Sequence, residues 1–126
     1  MATVTHTAQN PIGGVVVVTW SGMQNGDVGD GVVSAMFADK SVQASGTFGV
    51  GGTAVLEGST AVSGPSWALL NDPLGNPINL TAVTQVKEVL ENPYQIRPRI
   101  SGGDGSTSMT VQLCMSTPTL YTLTVV

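Results

Sequence analysis

From Lys40 to Phe48 the side chains alternate. Val42, Ala44, Gly46 and Phe48 fall on one side, and Ser41, Gln43, Ser45 and Thr47 on the other. A period of two is the signature of a strand with one wet face, and short runs of strand character recur along the chain. Val15 to Trp20 holds five apolar residues in six, too continuous for a half-exposed strand. It predicts a strand covered on both faces, or covered by a neighbouring subunit. Val32 to Phe37, Thr53 to Glu57, Ser66 to Leu70, Ser108 to Met115 and Leu120 to Val126 read as further strands. Tyr94 to Ile100 alternates too, but Pro93 and Pro98 each remove a ladder donor, which predicts a sheet edge. Leu80 to Leu90 mixes helix-like spacing of Val83, Val86, Val89 and Leu90 with β-branched Thr and Val, and reads as strands or a short helical turn.

Turn chemistry separates these runs. Asn25-Gly26-Asp27-Val28-Gly29-Asp30-Gly31 and Asn71-Asp72-Pro73-Leu74-Gly75-Asn76-Pro77 are clusters of residues that tolerate or preset turn dihedrals. About eight short strands, with turn signals every ~8–12 residues, predict an all-β fold: an antiparallel β-sandwich or jelly roll. The sandwich is expected to occupy residues 15–126 as one domain. Residues 1–14 are polar and without period, and read as an N-terminal arm, unfixed until it meets a partner.

Composition narrows the function classes. Only 10% of the 126 residues are charged, the net charge is −4, and Lys and Arg together number 4. Nucleic-acid binding needs a basic patch that releases counterions, and there are too few cations to form one. No apolar run approaches the ~20 residues that span a bilayer, and Met1 to Pro11 lacks the pattern of a secretory signal. Neither a membrane nor export is expected, and synthesis is placed in a cytoplasm-like compartment. Cys114 is the sole cysteine, so no intrachain disulfide forms, and its apolar run reads as a small core hydrophobe.

The glycines of Gly46-Thr47-Phe48-Gly49-Val50-Gly51-Gly52 raise the question of a phosphate cradle. Such a loop needs a lysine and a helix N-terminus behind it. Here no lysine follows and the next segment is a strand, so Gly49 to Gly52 reads as a hairpin turn. His6, the only histidine, falls in the arm without a serine elbow nearby. Asp27, Asp30 and Asp104 sit in Gly-rich loops that lack the ligand spacing of an EF-hand, so they read as turn formers. No enzyme, cofactor or metal is expected. Trp20 and Trp67 read as core or subunit-interface residues, with sugar stacking as the other use of an aromatic face. Arg97 and Arg99 lie two apart on one strand, either as a solvated pair or as cations for carboxylates of a partner.

Three stretches together carry a resemblance: Gly26-Asp27-Val28-Gly29-Asp30; Ser41-Val42-Gln43-Ala44-Ser45-Gly46-Thr47-Phe48-Gly49 running on to Leu56-Glu57-Gly58-Ser59; and Ile96-Arg97-Pro98-Arg99-Ile100-Ser101-Gly102-Gly103-Asp104-Gly105. With Trp67-Ala68-Leu69-Leu70 between them, the chain from Trp20 to Leu113 resembles the head decoration, or cement, proteins of tailed bacteriophages. It departs where Thr60-Ala61-Val62-Ser63-Gly64 replaces the Asn-Asp-Gly that often continues the Glu-Gly-Ser turn. The resemblance implies a β-sandwich on the outer surface of the virion, made in the host cytoplasm and clamping neighbouring capsomers. It implies the major capsid protein as partner, a homo-oligomer with a trimer favoured over a dimer, and no catalytic residues. Arg97, Arg99, Trp20, Asp27 and Asp104 are the candidate interface residues. A carbohydrate-binding β-sandwich using Trp20 or Trp67, and a tail or connector component, are the alternatives.

Overall fold

A computed structural model describes residues 1–117 of the chain; the expected strand Leu120 to Val126 lies outside the described residues. In chain order the strands are β1 (Thr3–Val4), β2 (Thr7–Ile12), β3 (Val15–Met23), β4 (Val28–Gly29), β5 (Val32–Val33), β6 (Asp39–Thr47), β7 (Thr53–Ser59), β8 (Ala68–Leu69), β9 (Asn79–Leu80), β10 (Val86–Glu88), β11 (Gln95–Ser101) and β12 (Ser108–Ser116). They form two sheets, and the fold is all-β, consistent with a sandwich. Sheet A runs β1-β4-β11-β7-β8, with β5 also on β11 and β9 also on β7. Sheet B runs β10-β6-β12-β3-β2 and is antiparallel throughout. The pairing of β1 with β4 is parallel.

The alternation read from Lys40 to Phe48 is what builds the core. In sheet B, Val18, Leu113 and Val42 form one inward row across β3, β12 and β6, and Trp20, Val111 and Ala44 form the next. Sheet A answers with Leu56, Ile96 and Ile100, each no more than 1% exposed. These rows belong to one hydrophobic cluster. Burying a side chain such as Leu or Ile contributes about 1.5–3 kcal/mol, so these inward side chains carry most of the cohesion. The continuous run Val15 to Trp20 is covered more fully on one face than the other: Val18 and Trp20 are buried, while Val15, Val17 and Thr19 are half-buried on the outside.

Four expectations are corrected. Strand β11 is central, flanked by β7 on one side and β4 and β5 on the other. Pro98 is tolerated there because alternate residues present their N–H to opposite neighbours. The Ile100 N–H reaches the Asp27 carbonyl at 2.9 Å on the β4 side, so position 98 faces that side too. Pro98 falls opposite Gly29, the last residue of β4, so its missing donor costs one bond at the end of a two-residue strand. The glycines at 49–52 turn the chain from β6 in sheet B to β7 in sheet A, so they are a crossing between sheets and not a hairpin. Cys114 faces outward, since Leu113 and Met115 take the inward positions on either side of it.

The fourth correction concerns the arm. Residues 3–12 are strands: β1 pairs with β4 and β2 with β3, so this segment contributes an edge to each sheet. Its residues are polar because each edge strand has a solvent face, not because the segment lacks structure. Gly29 sets how closely these elements meet. A Cβ there would stand 2.6 Å from both Pro98 Cδ and Trp20 Nε1, closer than atoms pack. Gly29→Ala is expected to destabilise the fold by about 1–3 kcal/mol, read as a lower denaturant midpoint at unchanged slope.

Candidate interface surfaces

The arginine pair has an intramolecular partner. Register places Arg97 opposite Glu57 and Arg99 opposite Val55 on the outer face of sheet A. The Glu57 carboxylate receives Arg97 Nε on Oε1 at 3.1 Å and Arg99 Nε on Oε2 at 3.2 Å. Arg97 also lies over the ring of Trp67, 4.4 Å from its centroid, an arrangement in which the cation meets the negative face of the indole. The expected role for these arginines, meeting a partner's carboxylates, is thus already taken within the chain. Two cations share one carboxylate, so the cluster keeps a single local positive charge. The sugar-stacking alternative loses ground at the same place, because the guanidinium covers one face of Trp67.

Trp20 is fully buried and offers no surface to a capsid or a sugar. Its indole N–H donates to the Asp30 carbonyl at 3.1 Å and to Asp30 Oδ1 at 2.9 Å. The same carboxylate holds His6, through its backbone N–H at 3.0 Å and its ring Nδ1 at 2.9 Å. Asp27 is buried and accepts from the backbone N–H of Ala2 and of Gln24 at 2.9 and 2.8 Å. Asp27 and Asp30 are therefore turn residues that also tether the N-terminal segment. Sequence reasoning saw the turn and missed the tether, because His6 and Asp30 lie far apart in sequence and only the pairing of β1 with β4 brings them together.

Asp104 answers the phosphate question. Its carboxylate accepts from Ser106 Oγ, the Ser106 N–H and the Val50 N–H. The last of these is a glycine-loop donor that an anion would use. Hydrogen bonds from the Ser106 side chain and then from these backbone groups hold its carboxyl below the ordinary aspartate value. Among the described residues, no group of three or more His, Cys, Asp and Glu side chains is placed to hold a metal ion.

A surface that the sequence did not single out is the outer face of sheet B. Thr7, Thr19, Gln112, Gln43 and Val86 lie directly opposite one another across all five strands. That row is without charge. The next row, Gln9, Val17, Cys114, Ser41 and Glu88, carries its one charge at the edge strand. The signal was in the alternation: Ser41, Gln43 and Ser45 were the wet positions of β6, but the strands that continue the row are distant in sequence.

No family model, curated protein or solved structure matches the chain.

Two outcomes follow from the ion pairs. Glu57→Gln should cost about 1–2 kcal/mol, reduced from the fully buried case because the guanidinium ends reach solvent, and Arg99→Ala less than that, as the more exposed partner. Denaturant titration at low and high salt checks both. Glu91 is partly desolvated, which raises its pKa, but hydrogen bonds from the Asn71 N–H and side-chain amide, with the charge of Lys40, hold it below the ordinary value. The unfolded chain therefore takes up this proton at higher pH than the folded one, and the stabilisation is complete above the ordinary carboxylate range. It falls away as pH drops through that range toward the folded value. In pH-dependent melting, Glu91→Gln should flatten that part of the acid limb.

Proposed function

We propose that the chain is a virion structural protein, a cement that decorates the head of a tailed bacteriophage by bridging neighbouring capsomers as a homo-oligomer on the outer surface. The observation that carries the reading is the charge-poor outer face of sheet B, whose central row is uncharged and whose two charges, Glu88 and Asp39, lie on the edge strand and at the end of β6. It is a broad β surface of Thr, Gln, Ser and Val with a half-buried Cys114 and Val17, and charge is depleted at the core of protein interfaces. Nucleic acid would require cations there. The sequence resemblance of the stretch from Trp20 to Leu113 supplies the kind of partner, an icosahedral shell of major capsid protein.

The contact is therefore expected on the outer face of sheet B, β2 of the N-terminal segment included, and not at the arginine pair. Gln112→Lys places a charge at an exposed position in the middle of the uncharged row. Surface changes of this kind shift stability by no more than about 0.5 kcal/mol, so melting should match the parent. Attachment to undecorated heads, titrated by sedimentation, should be lost. Full occupancy by this variant would move the interface elsewhere. Electron microscopy of decorated particles separates a head position from a tail or connector position.

A further inference from the structure

Lys40 points in an unusual direction for a lysine. It lies opposite Met115 and two residues before Val42, on the inward side of β6, and is 2% exposed. Its Nζ donates to the Phe37 carbonyl at 2.9 Å and to the side-chain carbonyl Oδ1 of Asn92. Both acceptors are neutral. Among the described residues no carboxylate is within ion-pair distance of Nζ. Burial lowers its pKa from the ordinary lysine value, against the through-space charges of Asp39 and Glu91, which raise it. A buried ammonium without a contacting anion is costly, so the amine form becomes accessible, and a neutral lysine amine is a nucleophile.

What this nitrogen touches is a primary amide. The carbonyl carbon Cγ of Asn92 is one bond beyond the oxygen that Nζ contacts. Asn92 is itself exposed, between β10 and β11, so a small leaving group has an open path to solvent. We propose that Lys40 and Asn92 join in an intramolecular isopeptide bond that forms without a second enzyme. The lone pair of Nζ adds to Cγ and makes the new C–N bond. The tetrahedral carbon then breaks its bond to Nδ2. The proton shed by Nζ passes through water at the exposed side of Asn92 to Nδ2, which leaves as ammonia. Nothing is oxidised or reduced, and the products are a neutral amide and one ammonia. The reaction removes a buried charge and covalently ties β6 of sheet B to the segment that feeds β11 of sheet A. It does not depend on the proposed function.

The experiment is intact-mass spectrometry of the full purified chain, before and after incubation at mildly alkaline pH, with Asn92→Ala and Lys40→Met as comparisons. The parent is expected one ammonia lighter than its sequence mass, and its digest should yield a branched peptide joining the Lys40 and Asn92 fragments. Both variants should keep their full mass and melt at lower temperature. Should Lys40→Met fail to fold by circular dichroism, Asn92→Ala carries the comparison, since its side chain is on an exposed loop. A parent at full sequence mass after incubation, or one whose Asn92 has only deamidated to Asp, would overturn the proposal and leave Lys40 as a hydrogen-bonded staple.

Discussion

The carboxylate of Asp30 sits where three parts of the molecule meet. Through the Trp20 indole N–H it holds β3 of sheet B, through its own backbone it belongs to the β4–β5 turn of sheet A, and through His6 it holds the N-terminal segment. The geometry is possible only because Gly29 has no side chain and Pro98 lies flat against it. A buried indole N–H that lost this acceptor would be left unsatisfied, at the desolvation cost such groups carry. The inward side chains supply the bulk of the cohesion, and this junction links the two sheets and the N-terminal segment at one point.

The same junction shows what could and could not be seen in the linear sequence. The inward positions of β6 and β11 were legible because a period of two sorts side chains by face without reference to any neighbour. The turn at 25–31 was legible because Asn-Gly and Asp-Gly report their own backbone conformation. The position of β11 was not, since Pro98 removes only the one bond opposite Gly29 at the end of β4, and that pairing lies far away in the sequence. Nor was the fate of Arg97 and Arg99, whose carboxylate comes from a strand some forty residues earlier that only the sheet pairing brings beside them. The uncharged row on the outer face of sheet B needed the strand order as well as the alternation.

With so few charges, their placement shapes the surface. Glu57 takes up two arginines, Asp27 and Asp30 bind the N-terminal segment, and Asp104 caps a glycine loop. Acid–base groups are thus spent on internal geometry. The broad faces are left to hydroxyls, amides and small apolar groups, which can meet another protein surface without the desolvation cost of burying ions.

The strand order of sheet B also governs when the protein can fold. Strand β3, near the N-terminus, finds its principal neighbour in β12, which is among the last described segments to be synthesised, and β12 also separates β3 from β6. During translation the edges of β3 and β6 that β12 will occupy, beside the inward side chains such as Trp20, wait unpaired until β12 has left the ribosome. Such non-local pairing makes folding slow and leaves exposed edges open to association with other nascent chains. The yield of this protein in a cell therefore depends on how well half-made, charge-poor sheets are kept apart until β12 arrives.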